Sequence, residues 1–258
     1  MRIDMRTMRC ATALFLALVL GACAHVNHLR DAQQTFSETS ALENQSRSGG
    51  GTVPSSVQAG YSSVVLSLQK LEQDGDSEKR LKADNLWGNV QMLKALAYWR
   101  MGNYDKARAA RSQVGSSLPP GSRDHALSMA LDGFIKNDEA FAKLQQPTGD
   151  LDEIAKLVLS ADDDLNRASK TLPGAHALNS YLALNGLGAM SNLSVACAQL
   201  STGGDFSKAN CFSNRGGPCR VKAWEDKLKA LGVADAEVKA VVGKLSTTCP
   251  AATPAPGQ

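Results

Sequence analysis

The sequence predicts an all-α protein built from short antiparallel helical hairpins, and three observations lead to this class. Apolar residues recur at helical spacing along most of the chain, and no run of alternating β-branched residues marks a strand. Hydrophobic residues make up 43% of the 258 positions, which is enough for a continuous core. Aromatic residues contribute only 5%, and a core of small side chains suits close packing between helices.

The clearest unit is the segment 85–119, which we predict to be a helical hairpin. Its first helix carries an apolar stripe that aromatic side chains widen, so we expect it to be buried on two sides: Leu86, Val90, Leu93, Ala97 and Met101, with Trp87, Met92, Tyr98 and Trp99. Gly102 should end this helix, because glycine accepts the positive φ that a helix end requires. Asp105 opens the second helix, and so short a turn makes the two helices antiparallel.

This hairpin resembles a tetratricopeptide repeat. The resemblance rests on small, aromatic and turn residues at the spacing of that repeat: Ala95, Tyr98, Gly102, Tyr104, Ala107 and Pro119. It implies that Ala95 and Ala107 lie where the two helices touch, and that hairpins stack as an α-solenoid. Gln91, Lys94 and Arg111 depart from the pattern, since the family prefers Trp, Leu and a large aromatic residue there. Only one repeat matches well, and an ordinary helical hairpin is the alternative interpretation.

The N-terminus has the pattern of a secretion signal. Three arginines precede an apolar run over residues 10–20, which is too short to span a bilayer as a helix. The run ends in Leu20-Gly21-Ala22-Cys23, which resembles the bacterial lipoprotein signal. The resemblance implies cleavage before Cys23, lipidation of Cys23 and a location in the cell envelope. Ala24, where Asp would retain the protein at the inner membrane, favours the outer membrane facing the periplasm. An ordinary signal with a chance cysteine is the alternative.

These patterns divide the chain into four predicted parts. They are a signal peptide (1–22), a helical-repeat domain (23–200), a helical extension that contains cysteines (201–250) and a disordered tail (251–258). Inside the repeat domain, a glycine-rich break at 48–56 separates a first helix at 25–46 from a second at 57–73. The first helix carries a sparse apolar stripe of Val26, Leu29, Phe36 and Leu42. The extension is predicted to begin with an irregular Gly- and Asn-rich segment (201–219) and to contain two short helices (221–231 and 234–245).

Five polar positions predict the helix boundaries further along the domain. Ser77 can cap the helix that leads into the central hairpin, and Ser122 can cap a second hairpin. Asn137 and Asp138 are expected to break that second hairpin into two helices, which would give it the layout of another repeat. Asp150 should cap the next helix, which begins at Leu151.

Residues 175–200 form the most apolar segment and predict a buried helix. Gly186 and Gly188 lie inside it, and each costs roughly 1 kcal/mol relative to alanine in a helix interior. A close crossing with another helix would offset that cost. The alternative is a groove for an extended or apolar ligand, with Asn185, Ser191 and Asn192 as polar contacts.

Four cysteines in the last quarter of the mature chain predict two disulfides, because an exported protein meets an oxidising compartment. Pairing Cys197 with Cys211 and Cys219 with Cys249 is slightly preferred. Pairing Cys211 with Cys219 and Cys197 with Cys249 fits as well. Either arrangement would stabilise the helical extension by about 3 kcal/mol per bridge. A zinc site is disfavoured because the spacing is not that of paired C-x-x-C motifs.

The sequence contains no recognisable catalytic arrangement, so we expect no enzyme, no catalytic residue, no cofactor and no metal. The four histidines lie apart, and no phosphate loop or strained nucleophile turn occurs. Asp162, Asp163 and Asp164 lack the spaced oxygens and glycine of a calcium loop and are interpreted as a solvated helix face. The signal holds three of the 28 basic and one of the 25 acidic residues, which leaves a mature net charge of about +1. This balance argues against nucleic acid as a partner.

Two functions follow as expectations. The first is a lipid-anchored scaffold or adaptor that binds an envelope protein or peptide through a helical-repeat surface. Trp99, beside Met92, is its candidate contact residue, with core packing as the alternative. The second is a ligand-binding helical-repeat lipoprotein associated with a solute transporter. It would hold a small or apolar molecule in a cavity near Gly186, with Asn185 and Asn192 as polar contacts.

Overall fold

The protein is described here by a computed structural model. The described residues are 24–48, 52–114, 117–146, 149–174, 176, 178–202 and 210–233, with single positions at 238, 242, 243, 245, 248 and 249. The predicted signal peptide (1–22), Cys23 and the tail (251–258) lie outside them, as does most of a helix predicted at 234–245. Regular structure in the described part is entirely helical, as the sequence predicts.

The chain forms two compact units, and the boundary falls between Leu118 and Pro119. The boundary predicted from the sequence lies at residue 200, between the repeat domain and the cysteine-containing extension. The first unit contains α1 (Ala24–Ser48), α2 (Ser55–Gln73), α3 (Gly75–Ala83), α4 (Trp87–Arg100) and α5 (Tyr104–Ser112). The second unit contains α6 (Arg123–Leu144), α7 (Leu151–Ser169), α8 (Leu178–Thr202), α9 (Cys211–Asn214) and α10 (Gly217–Ala230).

The α4–α5 hairpin follows the sequence prediction closely. Ala95 and Ala107 are completely buried. Gly102 has φ +73°, and its N–H donates to the carbonyl of Trp99 (2.9 Å). The N–H of Asn103 donates to the carbonyl of Tyr98 (2.9 Å). These two bonds form a Schellman motif, which satisfies carbonyls that the helix end would otherwise leave unpaired.

Two of the three departures from the repeat pattern, Gln91 and Lys94, have a common partner on α2. The side-chain amide of Gln91 donates to Oε1 of Glu72 (2.5 Å), and the ammonium of Lys94 donates to the same oxygen. Gln91 is buried and Lys94 is 14% exposed. These two residues therefore make a polar contact between α4 and α2.

Two expectations about the first unit are wrong in detail. Asp74, not Ser77, caps α3: its carboxylate accepts from the Asp76 N–H (3.3 Å) and from the Ser77 hydroxyl (2.6 Å). The helix begins earlier than predicted, so Ser77 already lies inside it. Leu42, assigned to the apolar stripe of α1, is 39% exposed.

The second hairpin predicted around Asn137 and Asp138 is absent, because α6 runs without interruption from Arg123 to Leu144. Asn and Asp each cost at most about 0.7 kcal/mol in a helix interior. The Asn137 side chain offsets this by accepting a hydrogen bond from Asn192 Nδ2 (2.9 Å). A repeat layout therefore does not continue into this segment.

Helix starts in the second unit agree with the sequence. Ser122 Oγ accepts from the N–H of His125 (3.2 Å), and Asp150 Oδ1 accepts from the N–H groups of Asp152 (2.9 Å) and Glu153 (3.1 Å). Helices α6 and α7 are antiparallel, since Lys143 near the end of α6 pairs with Glu153 near the start of α7 (2.6 Å).

The two disulfides are Cys197–Cys211 and Cys219–Cys249, the pairing that the sequence slightly favoured. The first joins α8 to α9 and the second joins α10 to the chain near its end. The sequence predicts an irregular segment at 201–219. The structure instead places Cys211 at the start of α9 and Cys219 inside α10, whose first turn contains Pro218.

Candidate interaction surface on helix α8

Helix α8 has 25 residues and none of them is charged. It packs against α6, α7 and α10 in the second unit. Its fully buried side chains include Leu182, Leu187, Met190 and Leu193. A helix that covers three neighbours needs apolar residues on most of its circumference, which explains the low polarity of this segment.

One side of α8 nevertheless faces solvent. Four residues define it, and we call them the α8 stripe: Leu184, Gly188, Ser191 and Val195. Their spacing of four, three and four places them on one helical face. Leu184 is 39% exposed and Val195 is 44% exposed, although both lie in the segment 175–200 that was predicted to be buried. A side chain added at Gly188 would meet no atom within 4 Å.

The apolar surface extends to α6. Asn192, next to Ser191, is hydrogen-bonded to Asn137 of α6. One turn beyond Asn137, on the same side of α6, Phe141 is 54% exposed. The outer face of a surface helix normally carries charged residues, so the uncharged face with exposed Leu, Val and Phe side chains is a candidate interaction surface.

Gly186 faces the opposite direction and contacts α10. A Cβ at this position would lie 2.3 Å from Cε2 of Trp224. Only glycine lets the indole approach α8 so closely. The structure therefore has the close helix crossing that the sequence favoured, and the Trp224 ring fills the space where the alternative placed a ligand cavity.

A buried carboxylate fixes the orientation of that indole. Trp224 Nε1 donates to Oδ1 of Asp162 (2.6 Å), and Arg220 donates to Oδ2 of Asp162 and to Oδ1 of Asp163 (2.7 Å). Asp162 is 2% exposed. The predicted solvated face is thus wrong for Asp162, whose partners come from 58 and 62 residues further along the chain. Asp164 also has a partner, the ammonium of Lys136 (2.6 Å), and among the three only Asp163 is exposed.

Burial raises the pKa of Asp162, because it disfavours the charged carboxylate. The hydrogen bonds from Trp224 and Arg220 act in the opposite direction without cancelling the effect of burial. The ionised form of Asp162 therefore lowers the free energy of unfolding. Its hydrogen bonds to Trp224 and Arg220 hold α10 in place across α8.

The first unit contains a second buried carboxylate, Glu43 on α1. Its Oε2 accepts from the Tyr61 hydroxyl (2.7 Å), and its Oε1 accepts from Nε and Nη2 of Arg47 (2.9 and 2.8 Å). Arg100 Nη1 lies 3.6 Å from Oε2. Burial raises the pKa of Glu43, but these hydrogen bonds and the positive charges outweigh it, so the pKa lies below 4.5. Burial raises the pKa of Tyr61 to about 12, which keeps its hydroxyl protonated as the donor.

The residues predicted to contact a ligand fall into two groups. Met92 is fully buried and Trp99 is 8% exposed, so both belong to the core of the first unit. The indole of Trp99 is covered by the guanidinium of Arg100 at 4.5 Å. Asn185 and Asn192 belong to α8 in the second unit, where Asn185 Nδ2 donates to the carbonyl of Tyr181 (2.8 Å). The remaining signature residues are Tyr98, which accepts from Gln69 (3.2 Å), Tyr104 at the start of α5, and the exposed Pro119.

Comparisons with protein-family models, with curated proteins and with solved structures found no match for this chain. Within the described ranges, no group of three or more His, Cys, Asp or Glu side chains is arranged to hold a metal ion. None of the helices placed by the structure is both long and apolar enough to cross a bilayer.

The α8 stripe was missed by the sequence analysis, although a signal for it exists. The segment was interpreted as a helix buried on all sides because it lacks a polar face. A 25-residue helix without charge is also what results when one face is reserved for another molecule. Periodicity cannot separate these two cases, since both replace charged residues by apolar or small ones.

Proposed function

We propose that this protein is a lipid-anchored scaffold or adaptor of the bacterial cell envelope that binds a protein partner through the α8 stripe. The observation that carries the proposal is the solvent-facing side of α8, where Leu184, Gly188, Ser191 and Val195 lie on a helix without a charged residue.

The chemistry of the stripe favours a helix as the bound element. Gly188 and Ser191 are small and lie between the larger Leu184 and Val195. An amphipathic helix can place an apolar side chain there and bury both flanking residues. Without charges at the centre of the contact, no ion would have to be desolvated without a partner.

The proposed location in the cell envelope is inferred from the N-terminal sequence. Leu20-Gly21-Ala22-Cys23 supports a lipidated Cys23, and a lipid anchor needs no membrane-binding surface in the fold itself. A repeat-like hairpin in the first unit is compatible with an adaptor. The transporter-associated alternative loses its main support, because Trp224 occupies the space beside Gly186.

The test is a charge placed on the stripe. Leu184→Glu should abolish co-purification of the partner after mild crosslinking of intact cells, because a carboxylate would be buried without compensation in the contact. Its melting temperature should stay within about 2 °C of the wild type, as for other exposed positions. Leu66→Glu is the matched control, since Leu66 is 58% exposed on α2 of the first unit. Equal partner recovery with both variants would contradict the proposal.

A further inference from the structure

The residue that follows the predicted lipidation site is already the first residue of a helix. Helix α1 starts at Ala24, and Cys23 precedes it directly. Consecutive Cα atoms are about 3.8 Å apart, so the lipidated residue lies within about 8 Å of the Cα of His25. If Cys23 is lipidated, the acyl chains are therefore attached to the residue that directly precedes α1.

The start of α1 is fixed to the connection between α3 and α4. Nε2 of His25 lies 2.7 Å from Oδ2 of Asp84, and His25 is 3% exposed. Asp84 ends α3 and is followed by a tight turn, in which Asn85 has φ +57° and the Leu86 N–H donates to the Leu81 carbonyl (2.7 Å). Trp87 then begins α4. The turn therefore places Trp87 three residues after Asp84, the residue whose carboxylate contacts His25.

The side chains at this corner suit the surface of a bilayer. Trp87 is half-buried, and the ammonium of Lys82 lies 5.0 Å from the centre of its ring. Tryptophan and lysine both combine an apolar body with a polar end, and both are favoured at membrane interfaces. Of the three basic residues of α3, Arg80 and Lys82 lie in its last turn beside this corner, and the Lys82 ammonium also pairs with Glu78 (2.5 Å). The helix dipole by itself also favours basic residues in the last turn of a helix, so the positions of Arg80 and Lys82 are weak evidence for a membrane surface. Trp87 is the more specific indicator.

We infer that the corner formed by His25, Lys82, Asp84 and Trp87, which we call the anchor end, rests on the phospholipid surface. The short path from Cys23 to His25 brings the anchor end to the bilayer, and the Trp87 indole inserts among the headgroups. The first unit is thereby oriented on the membrane with α1 pointing away from it. This inference rests on the proposed lipidation of Cys23.

The opposite end of α1 provides a control position. Helix α1 has 25 residues and is therefore about 37 Å long. The contact between Tyr61 and Glu43 shows that the start of α2 lies near the end of α1. Val53, just before α2, is 38% exposed and lies at this far end.

The test uses the lipidated full-length protein reconstituted in vesicles of phosphatidylethanolamine and phosphatidylglycerol. Tryptophan fluorescence is compared with and without phosphatidylcholine that carries bromine near the glycerol, because bromine quenches only by contact. The fluorescence intensity of the wild type should decrease with brominated lipid, and Trp87→Phe should not show this decrease. Trp99 and Trp224 are 8% and 4% exposed and should contribute little to it. Trp99→Phe should keep the quenching. This second variant shows that the quenched emission does not come from Trp99, even if the Trp87→Phe protein is less stable.

The Val53→Trp, Trp87→Phe double variant moves the reporter to the far end and should show no lipid quenching. Equal quenching at both positions would overturn the inference, as would a wild-type protein that floats with the vesicles but is not quenched. A Cys23→Ser protein that floats as well as the wild type would instead show that the proposed anchor is wrong. The two failures are therefore distinguishable by flotation alone.

Discussion

Glu43 is a buried carboxylate whose two oxygens both accept hydrogen bonds. Arg47 binds one oxygen, and Tyr61 from α2 binds the other. The arrangement ties α1 to α2, and its strength depends on the ionised form of Glu43. Its pKa lies below the ordinary value of 4.5, so the unfolded chain binds more protons than the folded chain in the window between the two pKa values.

Glu43→Gln should therefore flatten the acid side of the stability profile. Wild-type stability falls as the pH drops from 4.5 through the lowered pKa of Glu43, whereas the amide does not titrate. At neutral pH the variant should be less stable by about 1.5–3 kcal/mol, the usual value of hydrogen bonds to a charged group. Urea denaturation followed by circular dichroism at several pH values measures both effects. Glu38→Gln, at an exposed site on α1, should leave the profile unchanged, and identical slopes for Glu43→Gln and wild type would contradict this account.

Asp162 should behave in the opposite way. Its pKa is raised in the folded protein, so its contribution to stability is complete below the unfolded pKa and is lost as the pH rises through the folded pKa. Asp162→Asn removes this loss and keeps an oxygen that can accept from Trp224 Nε1. The same pH series should show the second unit losing less stability above pH 3.8 in the variant than in the wild type.

At the scale of the helix, the crossing of α8 and α10 depends on one glycine. Gly186 and Gly188 lie in the same helix, two residues apart, but only Gly186 is covered by Trp224. The indole is held by Asp162 and cannot turn aside without losing that hydrogen bond. The two glycines therefore form a matched pair.

Gly188→Ala should stabilise the protein by about 0.5–1 kcal/mol, because alanine favours the helix and its Cβ meets no atom. Gly186→Ala gains the same helical preference but must displace the indole, and overpacking costs about 1–3 kcal/mol. Chemical denaturation of the two variants measures the difference. A Gly186→Ala variant as stable as Gly188→Ala would show that the crossing is looser than the structure has it.

Features that depend on neighbouring residues could be predicted from the sequence at this scale. The Gly102 turn and the Ser122 and Asp150 caps involve residues within a few positions, and the structure confirms all three. The continuous α6 was missed because Asn137 is stabilised by Asn192, which lies 55 residues away. The burial of Asp162 was missed for the same reason, since its partners are contributed by α10. The exposed side of α8 could not be separated from a buried one by apolar periodicity.

For the whole molecule, the predicted anchor decides where the protein acts. Cys23→Ser should release the protein from the membrane fraction into the soluble periplasmic fraction, because it removes the lipid attachment. Fractionation followed by immunoblotting measures this. Retention of the variant in membranes after a high-salt wash would place the anchor elsewhere and contradict the proposed address.

Membrane anchoring and partner binding are assigned to different units in this proposal. The first unit contains the predicted anchor, and the second contains the α8 stripe, the two disulfides and the Asp162 contact that locks α10. The stripe requires α8 to keep one face uncovered. The Cys197–Cys211 disulfide attaches α8, two residues after Val195, to the start of α9. A rigid helix loses little conformational entropy on binding, which favours its use as a docking surface.

The most direct test of the central claim is site-specific photocrosslinking in living cells. A photoreactive amino acid at Ser191, in the centre of the α8 stripe, should give a discrete crosslinked band with a second envelope protein. The same amino acid at Lys156, an exposed site on α7, should not give that band. The Leu184→Glu substitution should remove the Ser191 band while leaving the protein level unchanged. A band of equal strength from Lys156, or no band from Ser191 in membrane-anchored protein, would contradict the claim that the α8 stripe binds a protein partner.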